Sequence, residues 1–83
     1  MKIEFRLYAT LSDYLPPESR NRTLDIELPE GAIIPDALAL FSVPVGLAHI
    51  VLVNNRHVLR NDIPTRQLQD GDELAVFPAI GGG

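Results

Sequence analysis

Two segments near the amino end of the chain alternate apolar and polar residues, and this pattern restricts the fold more than any other. In Lys2 to Tyr8 the apolar residues are Ile3, Phe5 and Leu7, and a second alternation runs from Thr23 to Leu28. A period of two is typical of a strand that buries one face. We therefore predict two strands, and we expect them to pair in antiparallel orientation because consecutive strands usually lie side by side.

One segment has the period of a helix. Its apolar residues recur at helical spacing, and a proline stands where the first turn would begin: Ile34, Pro35, Ala37, Leu38 and Phe41. Proline suits a first turn, and Asp36 lies near the positive end of the helix dipole. No Ser, Thr, Asp or Asn stands immediately before Pro35 as a cap. Residues 42–48 contain a proline and a glycine and are predicted to end the helix.

Three further strands are predicted in the second half. Ile50 to Val53 is apolar on both alternating faces, which is typical of a strand inside a sheet. Asn54-Asn55 provides a tight turn, because asparagine tolerates left-handed backbone. His57 to Arg60 is the predicted return strand, and Asp72 to Phe77 the last one, after a loop that ends in an Asp70-Gly71 turn.

The order strand, strand, helix, strand, strand, strand predicts an α+β protein of the ubiquitin-like β-grasp type. We expect a mixed five-stranded sheet packed on one main helix, with the first and last strands side by side at its centre. Residues 1–78 are the predicted β-grasp domain, and residues 79–83 the predicted flexible C-terminal glycine tail. Ala9 to Leu15 is expected to form a short turn or helix that ends at Pro16-Pro17.

Composition excludes several functional classes. A chain of 83 residues forms one small domain, with no room for a substrate pocket. It has no cysteine, which removes disulfides, thiolate metal ligands and a cysteine nucleophile. The net charge of −4 and the absence of a basic run argue against nucleic acid as a partner. No apolar stretch approaches the ~20 residues of a membrane span, so we expect a cytoplasmic protein without membrane contact.

The two histidines and two of the aspartates invite a metal-site interpretation. A two-residue turn would pair Leu52 with His57 and place His49 opposite Arg60, so the histidines are not cross-strand neighbours. A third ligand is missing, and we expect no metal site. Asp70 and Asp72 lack the run of oxygen ligands that a calcium loop needs and are better interpreted as turn formers.

The chain closes on Ile80-Gly81-Gly82-Gly83 directly after the last predicted strand. Glycine has no side chain, so such an end can thread a narrow channel and deliver its terminal carboxylate to the active site of another protein. The alternative is a flexible linker stub with no chemical role. The position immediately behind Phe77-Pro78 favours the functional interpretation.

Several of these segments together resemble a known family, the ubiquitin-like sulfur carriers of the MoaD/ThiS type. The resemblance is carried by the opening strand with Tyr8-Ala9-Thr10-Leu11, the hairpin at residues 51–56, residues 68–78 and the tail at 79–83. The length and the insertion at Ala9 to Leu15 favour the molybdopterin synthase small subunit over the shorter thiamin carrier. Ser12, Asn55 and Ala79 depart from the residues common in the family.

The resemblance implies a carrier that is no enzyme on its own and binds no cofactor. An adenylating enzyme of the ubiquitin-activating type would use ATP to join the Gly83 carboxylate to AMP. Sulfur from a persulfide donor enzyme would then displace the nucleotide and leave a thiocarboxylate. Gly83 is the acceptor, Gly82 the residue that needs clearance and Gly81 additional slack. The molybdopterin synthase type further implies two carriers on a dimer of the larger subunit.

Alternation also predicts where partners dock. If Leu74 and Val76 face the helix, then Ala75, Phe77 and Tyr8 face the other way. With Pro78 and Ile80 they would form an apolar patch at the base of the tail. The alternative is that the aromatic rings only cover an edge of the core.

Other functions remain open at this point. The same carrier chemistry serves thiamin synthesis, transfer RNA thiolation and other pathways. A protein modifier would use the same activation to form isopeptide bonds through Gly83. A non-covalent β-grasp interaction module would not use its tail at all.

Overall fold

The fold is one mixed sheet with a short helix packed on one face. The computed structural model describes residues 1–79. The strands are β1 (Lys2–Leu7), β2 (Thr23–Glu27), β3 (Ile50–Val53), β4 (Arg56–His57) and β5 (Glu73–Phe77), and the helix α1 is Ile34–Ala39. Short 3₁₀ helices occupy Ala9–Tyr14, Val45–Leu47 and Arg60–Asp62. The predicted ubiquitin-like β-grasp architecture is thereby confirmed.

The strand order in the sheet is β2-β1-β5-β3-β4. β1 pairs with β2 in antiparallel and with β5 in parallel orientation, while β3 pairs antiparallel with β5 and β4. The first and last strands are therefore neighbours at the centre, as predicted. Because β5 has a hydrogen-bonded partner on each side, the chain that follows it leaves from the middle of the sheet.

The core lies between the sheet and α1. One face of β1 and β5 is completely covered, and so is one side of the helix: Ile3, Phe5, Leu7, Leu74, Val76, Ile34, Ala37 and Leu38. These are the apolar positions that the two periods predicted. The Phe41 ring stacks on the Phe5 ring with a centroid distance of 5.4 Å, which closes the core beyond the end of the helix.

The helix is shorter than the apolar spacing in the sequence predicts. Apolar spacing continued to Phe41, but α1 ends at Ala39 because Ser42 adopts left-handed backbone with φ 59° and its N–H donates to the Ala39 carbonyl. At the other end no cap side chain precedes Pro35, as expected. The Asp36 carboxylate instead reaches back and accepts from the Ile33 N–H at 2.9 Å, which stabilises the first turn.

The prediction of a return strand from His57 to Arg60 was wrong in its extent. β4 is only Arg56–His57, and the chain then turns inward at Val58 and enters the 3₁₀ helix Arg60–Asp62. The register was predicted correctly, since Leu52 pairs with His57. The turn residues Asn54 and Asn55 have φ 53° and 66°, the left-handed values expected of a two-residue hairpin.

The predicted 1–78 domain falls within the described residues. Of the predicted flexible tail, Ala79 is exposed and has no regular structure, while residues 80–83 lie outside the described part of the chain. Within residues 1–79, none of the helices has the length and apolar character needed to cross a bilayer.

Candidate functional site

The base of the C-terminal tail is held on two sides. The Tyr8 N–H donates to the Val76 carbonyl at 3.1 Å from the β1 side, and the His49 N–H donates to the Phe77 carbonyl at 2.9 Å from the β3 side. Pro78 is half-buried and Ala79 is exposed. The chain therefore changes from a fixed strand to an unpaired segment within two residues.

An aromatic pair covers the sheet beside this point. The rings of Tyr8 and Phe77 stack with centroids 4.3 Å apart and planes within 2° of parallel. Leu74 and Val76 point to the helix and are fully buried, whereas Ala75 and Phe77 are only half-buried on the opposite face. The structure thus brings together Tyr8, Ala75 and Phe77 as predicted, next to Pro78. Their role in binding a partner stays a prediction.

The same face continues onto β3, which the sequence analysis did not include in the patch. Ile50 pairs with Phe77 and Leu52 pairs with Ala75, so both side chains lie beside the predicted residues on the open face of the sheet. Ile50 is 36% exposed. The signal was present in the sequence, because Ile50 to Val53 is apolar at every position. We call the set Tyr8, Ile50, Leu52, Ala75 and Phe77 the open-face patch.

One arginine borders the open-face patch on β1. The Arg6 guanidinium donates to the Glu4 carboxylate at 2.6 and 2.9 Å and lies 3.5 Å from the Tyr8 hydroxyl. The hydrogen bond to Tyr8 and those to Glu4 raise the pKa of Arg6 above its ordinary value. Since Glu4 stands in register with Asp25 and Glu73, the surface beyond this arginine is acidic.

A hydrogen-bonded cluster fixes the start of β5. Asp72 is only 8% exposed, and its carboxylate accepts from the Gln69 N–H at 2.7 Å and from the Asn54 side-chain amide at 2.9 Å. The Asn54 side-chain oxygen accepts in turn from the Glu73 N–H at 2.9 Å. Asp72 is thus a turn former, as expected, and also ties the β3–β4 hairpin to β5. The Asp70 carboxylate accepts from the Lys2 N–H at 2.8 Å and so ties the Asp70-Gly71 turn to the start of β1.

The two histidines lie where the hairpin register placed them. Nδ1 of His49 is 3.2 Å from the Arg60 guanidinium, and His57 stands across from Leu52. Among residues 1–79, no three His, Cys, Asp or Glu side chains come together in a group that could hold a metal ion.

The predicted acceptor Gly83 and its neighbours Gly82, Gly81 and Ile80 lie outside the described residues. What the structure describes is the platform from which they extend, namely a central strand fixed on both sides and an apolar face beside its end. Such a platform, with one mixed sheet and one helix, defines a ubiquitin-like β-grasp protein. The ThiS family model matches residues 14–83, and the chain belongs to the ThiS family.

Solved structures have the same architecture along the whole chain. SAMP1 from Haloferax volcanii is 27% identical, with all of both chains covered and a TM-score of 0.67. The HVO 2177 protein from Haloferax volcanii is 26% identical over all of this chain and 87% of that one, with a TM-score of 0.74. Subunit 1 or 2 in a complex of molybdopterin-converting factor from Helicobacter pylori is 18% identical, with all of both chains covered and a TM-score of 0.57, which shows the shared fold. No curated protein sequence matches the chain significantly.

Proposed function

We propose that the protein is a sulfur carrier that stores sulfur as a thiocarboxylate on Gly83 and donates it in cofactor biosynthesis. Membership of the ThiS family supports this function. The observation that carries it is the position of β5, which is paired on both sides and ends two residues before the segment that leads into the glycines. A rigid body and a slender end are what a carrier needs to present one carboxylate to several enzymes.

The chemistry requires activation, because a carboxylate is a poor electrophile. The Gly83 carboxylate would attack the α-phosphorus of ATP and release pyrophosphate, which gives an acyl-adenylate. The terminal sulfur of a persulfide would then attack the carbonyl carbon and release AMP. A thiol of the donor enzyme would cleave the resulting S–S bond, which leaves the thiocarboxylate on the carrier and a disulfide on the donor. The chain has no cysteine, so the sulfur atom that is transferred to Gly83 comes from a partner.

The partners follow from this scheme. They are an E1-like adenylating enzyme, which uses ATP, and a persulfide-bearing sulfur donor, and we propose that both bind the body while the tail enters the active site. The open-face patch, together with Pro78 and Ile80, is the proposed contact surface, because it combines aromatic and aliphatic side chains beside the tail. Covalent storage divides a difficult sulfur transfer into two easier steps.

The acceptor pathway that we propose is molybdopterin synthesis. The 3₁₀ helix Ala9–Tyr14 is the insertion that favoured this type in the sequence. The relative from Helicobacter pylori belongs to a complex of two molybdopterin-converting factor subunits. By analogy, this chain would pair with a large catalytic subunit, two carriers on one dimer, as the small subunit of a sulfurtransferase.

The test combines the purified chain with ATP, a sulfide or persulfide source and the candidate activating enzyme from the same organism. Intact-mass spectrometry should show the replacement of one oxygen by one sulfur, and fragment ions should place it on Gly83. A chain shortened by Gly82 and Gly83 is the control and should stay unmodified. Absence of both the acyl-adenylate and the mass change with every such enzyme would exclude the carrier function.

A second candidate function is protein modification through an isopeptide bond. It is favoured by one observation, the 27% identity over the full length to SAMP1, a small archaeal modifier protein. Both functions use the same adenylate, so they differ only in the acceptor. A tagged chain expressed in its own cells should show conjugates on denaturing gels if it is a modifier, and these should resist thiol reagents. The carrier alone predicts free thiocarboxylate and no such ladder.

A further inference from the structure

A cleft opens on the surface beside the base of the tail. Its volume is about 370 Å³, and its lining comes from the 3₁₀ helix after β1 and from one residue before β3: Thr10, Leu11, Asp13, Tyr14 and Leu47. Leu11 is otherwise buried in the core. Tyr14 and Leu47 are 37% and 43% exposed, so the cleft presents apolar surface to the solvent.

The topology places the end of β5 at the same end of the sheet as the two walls of this cleft. β5 lies between β1 and β3. The wall residues Thr10 to Tyr14 continue the chain from β1, and Leu47 precedes β3. The Tyr8 N–H and the His49 N–H hold the end of β5 from these same two segments. The end of β5 is therefore hydrogen-bonded to the two segments that also supply the cleft walls.

The tail carries one side chain whose chemistry suits the cleft. Ile80 is three residues beyond Phe77, at most about 10 Å of extended chain. It is the only large apolar side chain between Ala79 and Gly83. Pro78 has a fixed φ and biases Phe77 towards extended backbone, which narrows the directions that the tail can take.

We propose that this cleft is a binding site for the side chain of Ile80, so that the protein docks the base of its own tail when no partner holds it. The cleft is lined by Leu11, Tyr14 and Leu47, which suit a branched aliphatic group. The Asp13 carboxylate also lines the cleft, and its negative charge disfavours entry of the Gly83 carboxylate in place of the Ile80 side chain. A tether of three residues gives Ile80 a far higher effective concentration at the cleft than a side chain of a free partner has.

Docking would have a consequence for the carrier cycle. It keeps the glycines close to the body and lowers the fraction of time for which they are extended, and an enzyme that binds the tail must displace Ile80 first. This consequence depends on the proposed function. The binding of Ile80 itself does not, because it involves only groups of this chain.

The test is nuclear magnetic resonance of the full chain with labelled methyl groups and no other protein present. We expect nuclear Overhauser effects from the Ile80 methyl groups to Leu47 and to the Tyr14 ring. Leu47→Asn should abolish them and lower the order of the Ile80 amide. The matched control Leu59→Asn changes a leucine that is 64% exposed and does not line the cleft, and it should leave both signals unchanged.

A second measurement guards against misfolding of the variant. Removal of residues 80–83 should shift the methyl resonances of Leu11 and Leu47 and leave those of Leu59 in place. The proposal is overturned if the wild-type Ile80 methyl groups show no such contacts, or if truncation leaves the Leu11 and Leu47 resonances unshifted. In a second sample, to which the activating enzyme is added, cleft resonances that respond only to this addition would also overturn the proposal, since a partner would then be the occupant. Because the first sample contains no enzyme, docking can fail there while thiocarboxylation of Gly83 succeeds.

Discussion

Tyr8, which directly follows the first strand, and Phe77, which ends the last one, stack face to face with ring centroids 4.3 Å apart. The stack joins the segment that leaves β1 to the residue that ends β5. We expect Tyr8→Leu and Phe77→Leu to be coupled by about 0.5–1.5 kcal/mol in a double-mutant cycle of urea unfolding, because aromatic pairs contribute this much beyond burial. Tyr8 and Leu59 are the control pair and should show additive effects. Additivity at Tyr8 and Phe77 as well would mean that the rings only cover the sheet.

The open-face patch predicts which surface change impairs activation. Ile50→Asp places a charge among apolar side chains that we propose to be buried against the adenylating enzyme, and we expect at least about a tenfold loss of kcat/KM for adenylation, or 1.4 kcal/mol. ATP–pyrophosphate exchange with the activating enzyme measures it. Leu59→Asp is the matched control, since Leu59 is more exposed and lies outside the patch. Equal losses in the two variants would contradict the assignment of the patch.

We predict that a side chain at position 82 impairs formation of the thiocarboxylate. Gly82→Ala should reduce the yield of thiocarboxylate on Gly83 at least about tenfold, because a methyl group obstructs a narrow channel and restricts the backbone. The free energy of unfolding should not change. Gly46→Ala is the control, since a Cβ at Gly46 meets no atom within 4 Å. Intact-mass spectrometry measures the yield, and an unimpaired Gly82→Ala carrier would contradict the threading mechanism.

Asp72 is predicted to stabilise the fold through the hydrogen-bonded cluster at the start of β5. Asp72→Ala leaves the Gln69 N–H and the Asn54 amide without their acceptor, which should cost about 1–3 kcal/mol. Asp25→Ala, on the exposed edge strand, should change the stability by less than about 0.5 kcal/mol. Chemical denaturation followed by circular dichroism distinguishes the two. Similar midpoints for both variants would show that the cluster adds nothing.

Shortening a buried side chain of the central strand β5 should destabilise the fold. Leu74 has no exposed surface, and Leu74→Ala is expected to cost about 2–5 kcal/mol through lost burial and a cavity. For so small a domain, this is a large share of the total stability. Leu59→Ala should change the stability by less than about 0.5 kcal/mol. A melting temperature of the Leu74 variant close to that of the wild type would contradict the described core.

Much of the fold could be predicted because the alternation in β1, β2 and β5 is regular. Each of these strands buries one face, so the period of two identifies both the strand and its inner residues. The two-residue turn at Asn54-Asn55 gave the register of β3 against β4 for a similar reason, since a turn of known length leaves one pairing.

The ends of helices and strands were harder to predict from the sequence. α1 ends before Phe41 because Ser42 takes left-handed backbone, a conformation that nothing in the residue type demands. β4 ends at His57 because Val58 is buried in the core. Val58 and Leu59 are both aliphatic, so the sequence does not indicate that one is buried and the other exposed. In each case tertiary packing decides where the local pattern stops.

The open-face patch could be predicted only in part. Tyr8, Ala75 and Phe77 follow from alternation within single strands. Ile50 and Leu52 join them only through the pairing of β3 with β5. Leu47 and the 3₁₀ helix Ala9–Tyr14 line one cleft because their neighbouring strands, β3 and β1, both flank β5. Contacts of this kind depend on the strand order, which the alternation of one segment does not contain.

The parallel pairing of β1 with β5 also bears on mechanical load. An enzyme that drew the glycine end into its active site, as we propose, would pull along the axis of β5, while the hydrogen bonds to β1 and β3 run across that axis. The pull therefore acts on all of these bonds at once in shear, rather than opening them one after another. We therefore expect the fold to resist unfolding when force is applied to its C-terminal end.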